Sequence, residues 1–296
     1  MRRSLQLCLS LLAVLTLTAA AITTAEANQA GTTYMKINKA HGAKPTRGNL
    51  IFHGGPVQAP VAVYISWWGP EWAGGGFSTG SFSSADAQAY VTAFFNNVGG
   101  TRWGNTTKQY CGSNGCPSNP NGELAGTWND TTAVPTSPTQ TQISNAAARL
   151  AAHFNVTPGA NDDFMVFTPS GHSQNGFGTQ WCAYHSSSGS VSFSYIPYLP
   201  DAGASCGMNF VNKSDGSNGS GFFDGFSIVG GHEYAEAVTD PQPPSGWTDS
   251  RGAEIGDKCA WLSSGPGAAT NLTFNGQVYA VQSLWSNAIG GCTTAS

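Results

Sequence analysis

Charge is scarce in this chain: only 9% of its 296 residues are Asp, Glu, Lys or Arg. The 12 basic side chains form no patch, which excludes the electrostatic footprint of a nucleic-acid binder or of a protein held on an anionic membrane surface. Beyond the N-terminal region there is no apolar run of the roughly 18 residues that a membrane-spanning helix needs. Paired C-x-x-C spacings are missing, which argues against a zinc finger. Ser170-Gly171-His172-Ser173 does not fit a G-x-S-x-G nucleophile elbow, and no Ser/His/Asp set stands out. There is no internal repeat, so a solenoid is excluded as well.

What is present begins with a leader. Met1-Arg2-Arg3 is a short basic region, Leu5–Ala21 is apolar, and Ala25-Glu26-Ala27 offers an A-x-A cleavage site, with Ala19-Ala20-Ala21 as the alternative. Residues 1–27 therefore read as a signal peptide of a secreted, extracellular protein with no membrane association after cleavage. Without Arg2, Arg3 and Glu26 the chain keeps 10 basic and 15 acidic side chains. Cys8 lies in the leader and leaves six cysteines, an even number that in an oxidising compartment implies three disulfides. Fifteen connectivities are open to six cysteines. Pairing of neighbours, Cys111 with Cys116, Cys182 with Cys206 and Cys259 with Cys292, is the most economical.

Residues 28–47 read as a flexible N-terminal segment, and 48–296 as a single domain. Val61–Trp68 is an apolar, β-branched and aromatic run of strand length. Ser83 to Asp86 caps a helix whose apolar positions are Ala87, Val91, Phe94, Phe95 and Val98. Residues 104–138, rich in Asn, Gly, Pro and Thr, read as loop. A second helix is predicted over Thr139–Phe154, and further strands over Asp163–Thr168, Trp181–His185 and Val191–Tyr198. Asn275-Gly276 between Leu272–Phe274 and Val278–Val281 predicts a hairpin. Helices interleaved with short apolar strands imply an α/β fold, a single-domain mixed sheet with packed helices, stabilised by disulfides.

The chemistry concentrates in Phe222–Trp261. His232-Glu233-Tyr234-Ala235-Glu236 is a His-Glu-x-x-Glu run in a predicted helix, and residues four apart share one helical face. His232 and Glu236 can thus hold one metal ion, with Glu233 beside it as general base on a bound water, a variant of the H-E-x-x-H motif of zincin-like metallopeptidases. Pro241 stops the helix near Thr239-Asp240. A catalytic zinc needs a third protein ligand; Glu254 is the first choice, with Asp240 and Asp257 as substitutes or as acceptors for the His232 imidazole. The window 232–257 holds six of the 15 acids left after the leader: Glu233, Glu236, Asp240, Asp249, Glu254 and Asp257. Zinc is the expected ion, while two carboxylates and one imidazole also suit calcium or manganese. Gly230-Gly231 suggests close packing or substrate approach, and Trp247 and Trp261 are candidates for lining a cleft. His53 reads as a turn residue that positions the first strand; His172 and His185, in a Ser/Gly-rich region, could approach the cleft but as lone histidines read as structural.

Two stretches carry a family resemblance. Phe52-His53-Gly54-Gly55-Pro56-Val57 followed by Tyr64-Ile65-Ser66-Trp67-Trp68-Gly69, and Gly176-Phe177, Cys182 and His185 followed by Phe193-Ser194-Tyr195-Ile196, resemble the opening and central segments of the EXORDIUM (phosphate-induced protein) family. The resemblance implies an extracellular or cell-wall role and no particular reaction. Gly178 stands where plant members carry an extra cysteine, so their disulfide scheme need not transfer. Plant members also lack the His-Glu-x-x-Glu run, so the metal argument rests on the residues alone.

Two function classes follow. One is a secreted metal-dependent hydrolase, a zinc peptidase acting on a peptide or protein substrate. The other is a non-enzymatic extracellular protein of EXORDIUM type that binds cell-wall polysaccharide. A monomer is expected in either case.

Overall fold

The computed structural model describes residues 31–37, 48–213 and 221–295; the expected signal peptide lies outside them, as does most of the segment 28–47. Six strands form the main sheet: β1 (Thr32–Lys36), β2 (Ala62–Trp68), β3 (Leu124–Asp130), β4 (Asp162–Phe167), β5 (Trp181–Ser188) and β6 (Val191–Ile196). Their order is β1-β5-β6-β4-β2-β3. The pairs β2/β3, β2/β4 and β4/β6 are parallel, while β5 runs antiparallel to both β6 and β1. The fold is mixed α/β, as the interleaved apolar runs imply.

Two helices begin where the sequence signals them. α1 (Ser84–Val98) opens with a capping box between Ser83 and Asp86, and α2 (Gln140–His153) with one between Thr139 and Gln142. Each box satisfies two of the N–H groups that a helix start leaves unpaired. α2 lays Ile143, Ala147 and Leu150 on one face of the sheet, against Phe164, Val166, Phe193 and Tyr195. Burial of Ile143 and Leu150 contributes roughly 1.5–3 kcal/mol each. α1 and α3 (Asp224–Thr239) cover the opposite face, with Phe94, Phe95, Ile228 and Val229 among the core residues there.

Two stretches depart from the sequence reading. Thr32–Lys36, inside the segment expected to be flexible, is a strand at the sheet edge, paired with β5 and holding Met35 in the core. Leu124–Asp130, inside the expected loop, is the opposite edge strand. Both are polar enough to hide their apolar alternation, because an edge strand needs only one modestly apolar face. Past α3 the chain forms the hairpin β7 (Thr270–Phe274) and β8 (Gln277–Val281), turned by Asn275 and Gly276, both at positive φ. This is the backbone that a two-residue turn of mirror-image type demands. The disulfides are Cys111–Cys116, Cys182–Cys206 and Cys259–Cys292. No helix among the described residues is long and apolar enough to cross a membrane.

A candidate metal centre under the buried helix

All sixteen residues of α3 are buried. It packs over β5, β6 and β1 on one side and against β8 on another, so the polar residues it carries are enclosed by the protein. Gly230 and Gly231 serve that enclosure: a Cβ on Gly231 would lie 3.2 Å from Phe94 and 3.3 Å from Trp103, and one on Gly230 3.4 Å from Phe95. Gly231 thus marks close helix packing, while Gly230 stands in ordinary contact. The helix ends at Thr239, before Asp240 and Pro241, where the proline stops it.

His232, Glu233 and Glu236 are fully buried. His232 Nε2 lies 3.0 Å from Glu236 Oε1 and 3.7 Å from Asp257 Oδ1. The same nitrogen has no partner in hydrogen-bond geometry, so its lone pair is aimed at a point between these oxygens. The ring is fixed from behind: His232 Nδ1 sits 3.2 Å from Gln282 Oε1, and Gln282 Nε2 donates to the carbonyls of Gly256 and Ser283. That arrangement makes the Gln282 oxygen the acceptor, places a proton on Nδ1 and leaves Nε2 for a ligand.

His185, read from sequence as structural, stands at the heart of the cluster. Strand alternation points Tyr184 into the layer under α2 and His185 toward α3. His185 Nδ1 is 3.3 Å from Glu233 Oε2 and 3.5 Å from Glu236 Oε2, while Nε2 is 3.2 Å from Glu254 Oε2. Glu254 therefore sits behind the imidazole, although neither Nε2 nor Oε2 makes an aligned hydrogen bond, and Thr33 Oγ1 donates to its other oxygen at 2.9 Å. Asp163, with Ser194 donating to it at 3.1 Å, extends the polar floor of the sheet. Together His185, Glu233 and Glu236 can hold a metal ion; so can His232, Glu236 and Asp257.

The loop that brings Glu254 and Asp257 is built around Asp249. Its carboxylate accepts from the N–H groups of Arg251 and Ala253 and from Lys258 Nζ at 2.9 Å. Asp257 N–H donates to Glu236 Oε1 at 3.0 Å, and the Cys259–Cys292 disulfide ties the loop to the C-terminal strand. Of Glu233, Glu236, Glu254 and Asp257, only Asp257 reaches solvent appreciably, with 21% of its side chain exposed. Asp240, at the end of α3, is buried beside the group but belongs to neither donor set.

Electrostatics fit a centre short of positive charge. Burial disfavours both charged imidazoles, yet the acids around them outweigh it: Glu254, Glu233 and Glu236 hold His185 well above its ordinary range, and Glu236, Glu233 and Asp257 hold His232 at about 10. Burial pushes Glu233 and Glu254 up, Asp240 to about 6 and Asp257 to about 7. Burial also opposes ionisation of Glu236, but His232, His185 and the Asp257 N–H prevail and bring it down. Among the described residues, Glu233, Glu236, Glu254 and Asp257 make their ion pairs with the two imidazoles alone.

No family model, curated protein or solved structure matches the chain. The remaining candidates lie apart from the cluster. Trp247 donates to the Cys111 carbonyl and packs on Phe52, and Trp261 donates to the Lys36 carbonyl. His53 meets Thr248, and His172 meets the Pro135 carbonyl. A surface cavity of about 640 Å³ lined by Asn97, Arg102, Asn121 and Asn275 shares no residue with the acids and histidines.

Proposed function

We propose that the chain is a secreted metal-dependent hydrolase, a zinc peptidase whose ion rests on His232, Glu236 and Asp257, with Glu233 as general base. The observation that carries this reading is the convergence of His232 Nε2, Glu236 Oε1 and Asp257 Oδ1 from a helix and a returning loop. Donors around a tetrahedral zinc at its usual bond lengths stand about 3.3–3.5 Å apart, close to the 3.0 and 3.7 Å seen here. Asp257 takes the part first given to Glu254, which stands beside His185 instead. Calcium or manganese would suit the two oxygens equally.

When bound there, a divalent cation lowers the pKa of a water and polarises a carbonyl. The protein's own residues do the rest. Glu233 is held through Oε2 by His185, and its Oε1 has no hydrogen-bond partner, so that oxygen is free to take a proton. In peptide hydrolysis the water oxygen bonds to the carbonyl carbon while Glu233 receives the proton. The C–N bond then breaks and the proton passes to the leaving nitrogen, giving an acid and an amine. Asp257 is the part-exposed member, so substrate reaches the centre from its side. Three disulfides fit the extracellular setting.

The test is hydrolysis of casein and a peptide library by purified protein with and without chelator, beside Glu233→Gln. Loss of a general base lowers the rate by about 10²–10⁴. Protein free of bound metal, with no cleavage, would overturn the hydrolase. Binding to insoluble polysaccharide, unchanged by chelator, would point instead to the extracellular binding protein that the EXORDIUM resemblance implies.

A further inference from the structure

We propose that the centre holds two divalent cations, the second on His185, Glu233 and Glu236, with the Glu236 carboxylate bridging the pair. This rests on the hydrolase reading for the first ion and adds a site to it. Glu236 turns a different oxygen to each histidine: Oε1 is 3.0 Å from His232 Nε2 and Oε2 is 3.5 Å from His185 Nδ1. The three donors of the second set, like those of the first, lie within 4.8 Å of one another. A carboxylate used in this way keeps two ions about 3.5–4 Å apart, the spacing of two-metal hydrolytic centres.

Each imidazole turns one nitrogen to the shared carboxylate. Behind His232, Nδ1 meets Gln282 Oε1, and Gln282 is held in turn by two carbonyls, an arrangement that fixes the tautomer of a ligand histidine. Behind His185, Nε2 lies 3.2 Å from Glu254 Oε2 without an aligned hydrogen bond, and the Thr33 hydroxyl holds the other Glu254 oxygen. His232 Nε2 and Glu236 Oε2 are fully buried and lie near opposite charges yet make no aligned hydrogen bond. These atoms are aimed at common points, not at one another. Acids outnumber imidazoles here: Glu233, Glu236, Asp163, Asp240 and Glu254 are buried, Asp257 is at the rim, and two histidines stand among them, a surplus that favours bound cations. Glu233 keeps its role as base, because ligation uses Oε2 and leaves Oε1 free.

The experiment is metal loading of the full chain. Protein stripped with chelator is reloaded with Zn²⁺ alone, desalted and analysed for zinc per chain; a second sample is loaded with Mn²⁺ alone for electron paramagnetic resonance. Two zinc per chain, and a manganese spectrum of exchange-coupled rather than isolated ions, are expected. His185→Ala and Asp257→Asn should each retain one zinc. Should those variants not fold, the wild-type stoichiometry and spectrum decide alone. One zinc per chain with an uncoupled manganese signal overturns the second ion and leaves the hydrolase standing. No zinc overturns both, and two zinc in His185→Ala overturns this assignment of the second site.

Discussion

Thr33 and His185 face each other across the β1/β5 ladder and grip the two oxygens of one carboxylate: Thr33 Oγ1 donates to Glu254 Oε1 at 2.9 Å, and His185 Nε2 lies 3.2 Å from Glu254 Oε2. The edge strand is thus part of the centre, because its register places the hydroxyl that holds the acid beside the histidine. Thr33→Val keeps the shape and β-propensity of the strand and removes the donor. A buried carboxylate oxygen is left unpaired, at a cost of about 1–3 kcal/mol. Loss of such a supporting partner weakens metal binding about 10–100-fold. Urea unfolding and competition with a zinc chelator read the two effects. Unchanged affinity for metal would disconnect Thr33 from the centre.

Gly256 offers a steric test of the same centre from the other side. Its φ is an ordinary −80°, so conformational freedom does not explain the glycine. A Cβ there would fall 2.6 Å from His232 Nδ1 and within 3 Å of two ring carbons. Gly256→Ala must therefore displace either the loop or the imidazole that Gln282 holds. Overpacking of this kind costs about 1–3 kcal/mol, and the displaced ligand should lower zinc affinity at least tenfold. Gly291→Ala, with open space around its Cβ, is the matched control and should leave affinity unchanged.

Much of the fold was readable because its signals are local. The Ser83/Asp86 and Thr139/Gln142 boxes, the spacing of Phe94, Phe95 and Val98, and Asn275-Gly276 each act within a few residues. The helix part of the centre was readable for the same reason, since His232 and Glu236 are neighbours by helical geometry alone. What escaped depends on pairing between distant segments. His185 reaches the site only because β5 lies between β1 and β6 and alternation turns it toward α3. Thr33 and Gln282 arrive from opposite ends of the chain, and nothing near them in sequence marks a metal. Asp257 falls in a donor set with His232 and Glu236 while Glu254 stands beside His185, a difference of a few ångströms in one loop that sequence spacing does not reveal.

The glycine pair in α3 separates two opposing effects. Alanine in place of glycine within a helix gains about 1 kcal/mol. At Gly230 the new methyl would stand 3.4 Å from Phe95, an ordinary contact, so Gly230→Ala should be neutral or stabilising by up to about 1 kcal/mol. At Gly231 it would press on Phe94 at 3.2 Å and Trp103 at 3.3 Å, and both rings are enclosed. Overpacking then exceeds the propensity gain, for a net loss of about 1 kcal/mol or more. Denaturant midpoints of the two variants should move in opposite directions, or at least differ in that order; the reverse order would refute the packing account.

Removal of metal should be visible in stability as well as in chemistry. Binding to the folded state alone stabilises by about 4 kcal/mol when free zinc is 1,000 times the dissociation constant. For a domain of this size each kcal/mol moves the melting temperature by about 2–4 °C, so chelation should lower it by roughly 8–16 °C. Glu236→Gln, without the shared carboxylate, should melt at a temperature that chelator barely changes. A wild-type melting temperature indifferent to chelator would count against any resident ion.

A second buried acid gives a pH dependence that is independent of the centre. Tyr234, on α3, donates its hydroxyl to Glu123 Oε2 at the start of β3. Glu123 is only 2% exposed, and burial raises its carboxyl to about 7, against the opposing pull of the Tyr234 hydrogen bond. A carboxyl raised in the folded state stabilises fully below its unfolded value, near 4.5, and that contribution is lost as pH climbs through about 7. The loss is on the order of 3 kcal/mol. Glu123→Gln keeps an acceptor for the tyrosine and cannot ionise. Its unfolding free energy should match wild type near pH 4.5 and exceed it by a few kcal/mol at pH 8. Urea unfolding of both proteins at the two pH values measures the difference directly, and an offset that is the same at both would show that Glu123 does not titrate between them.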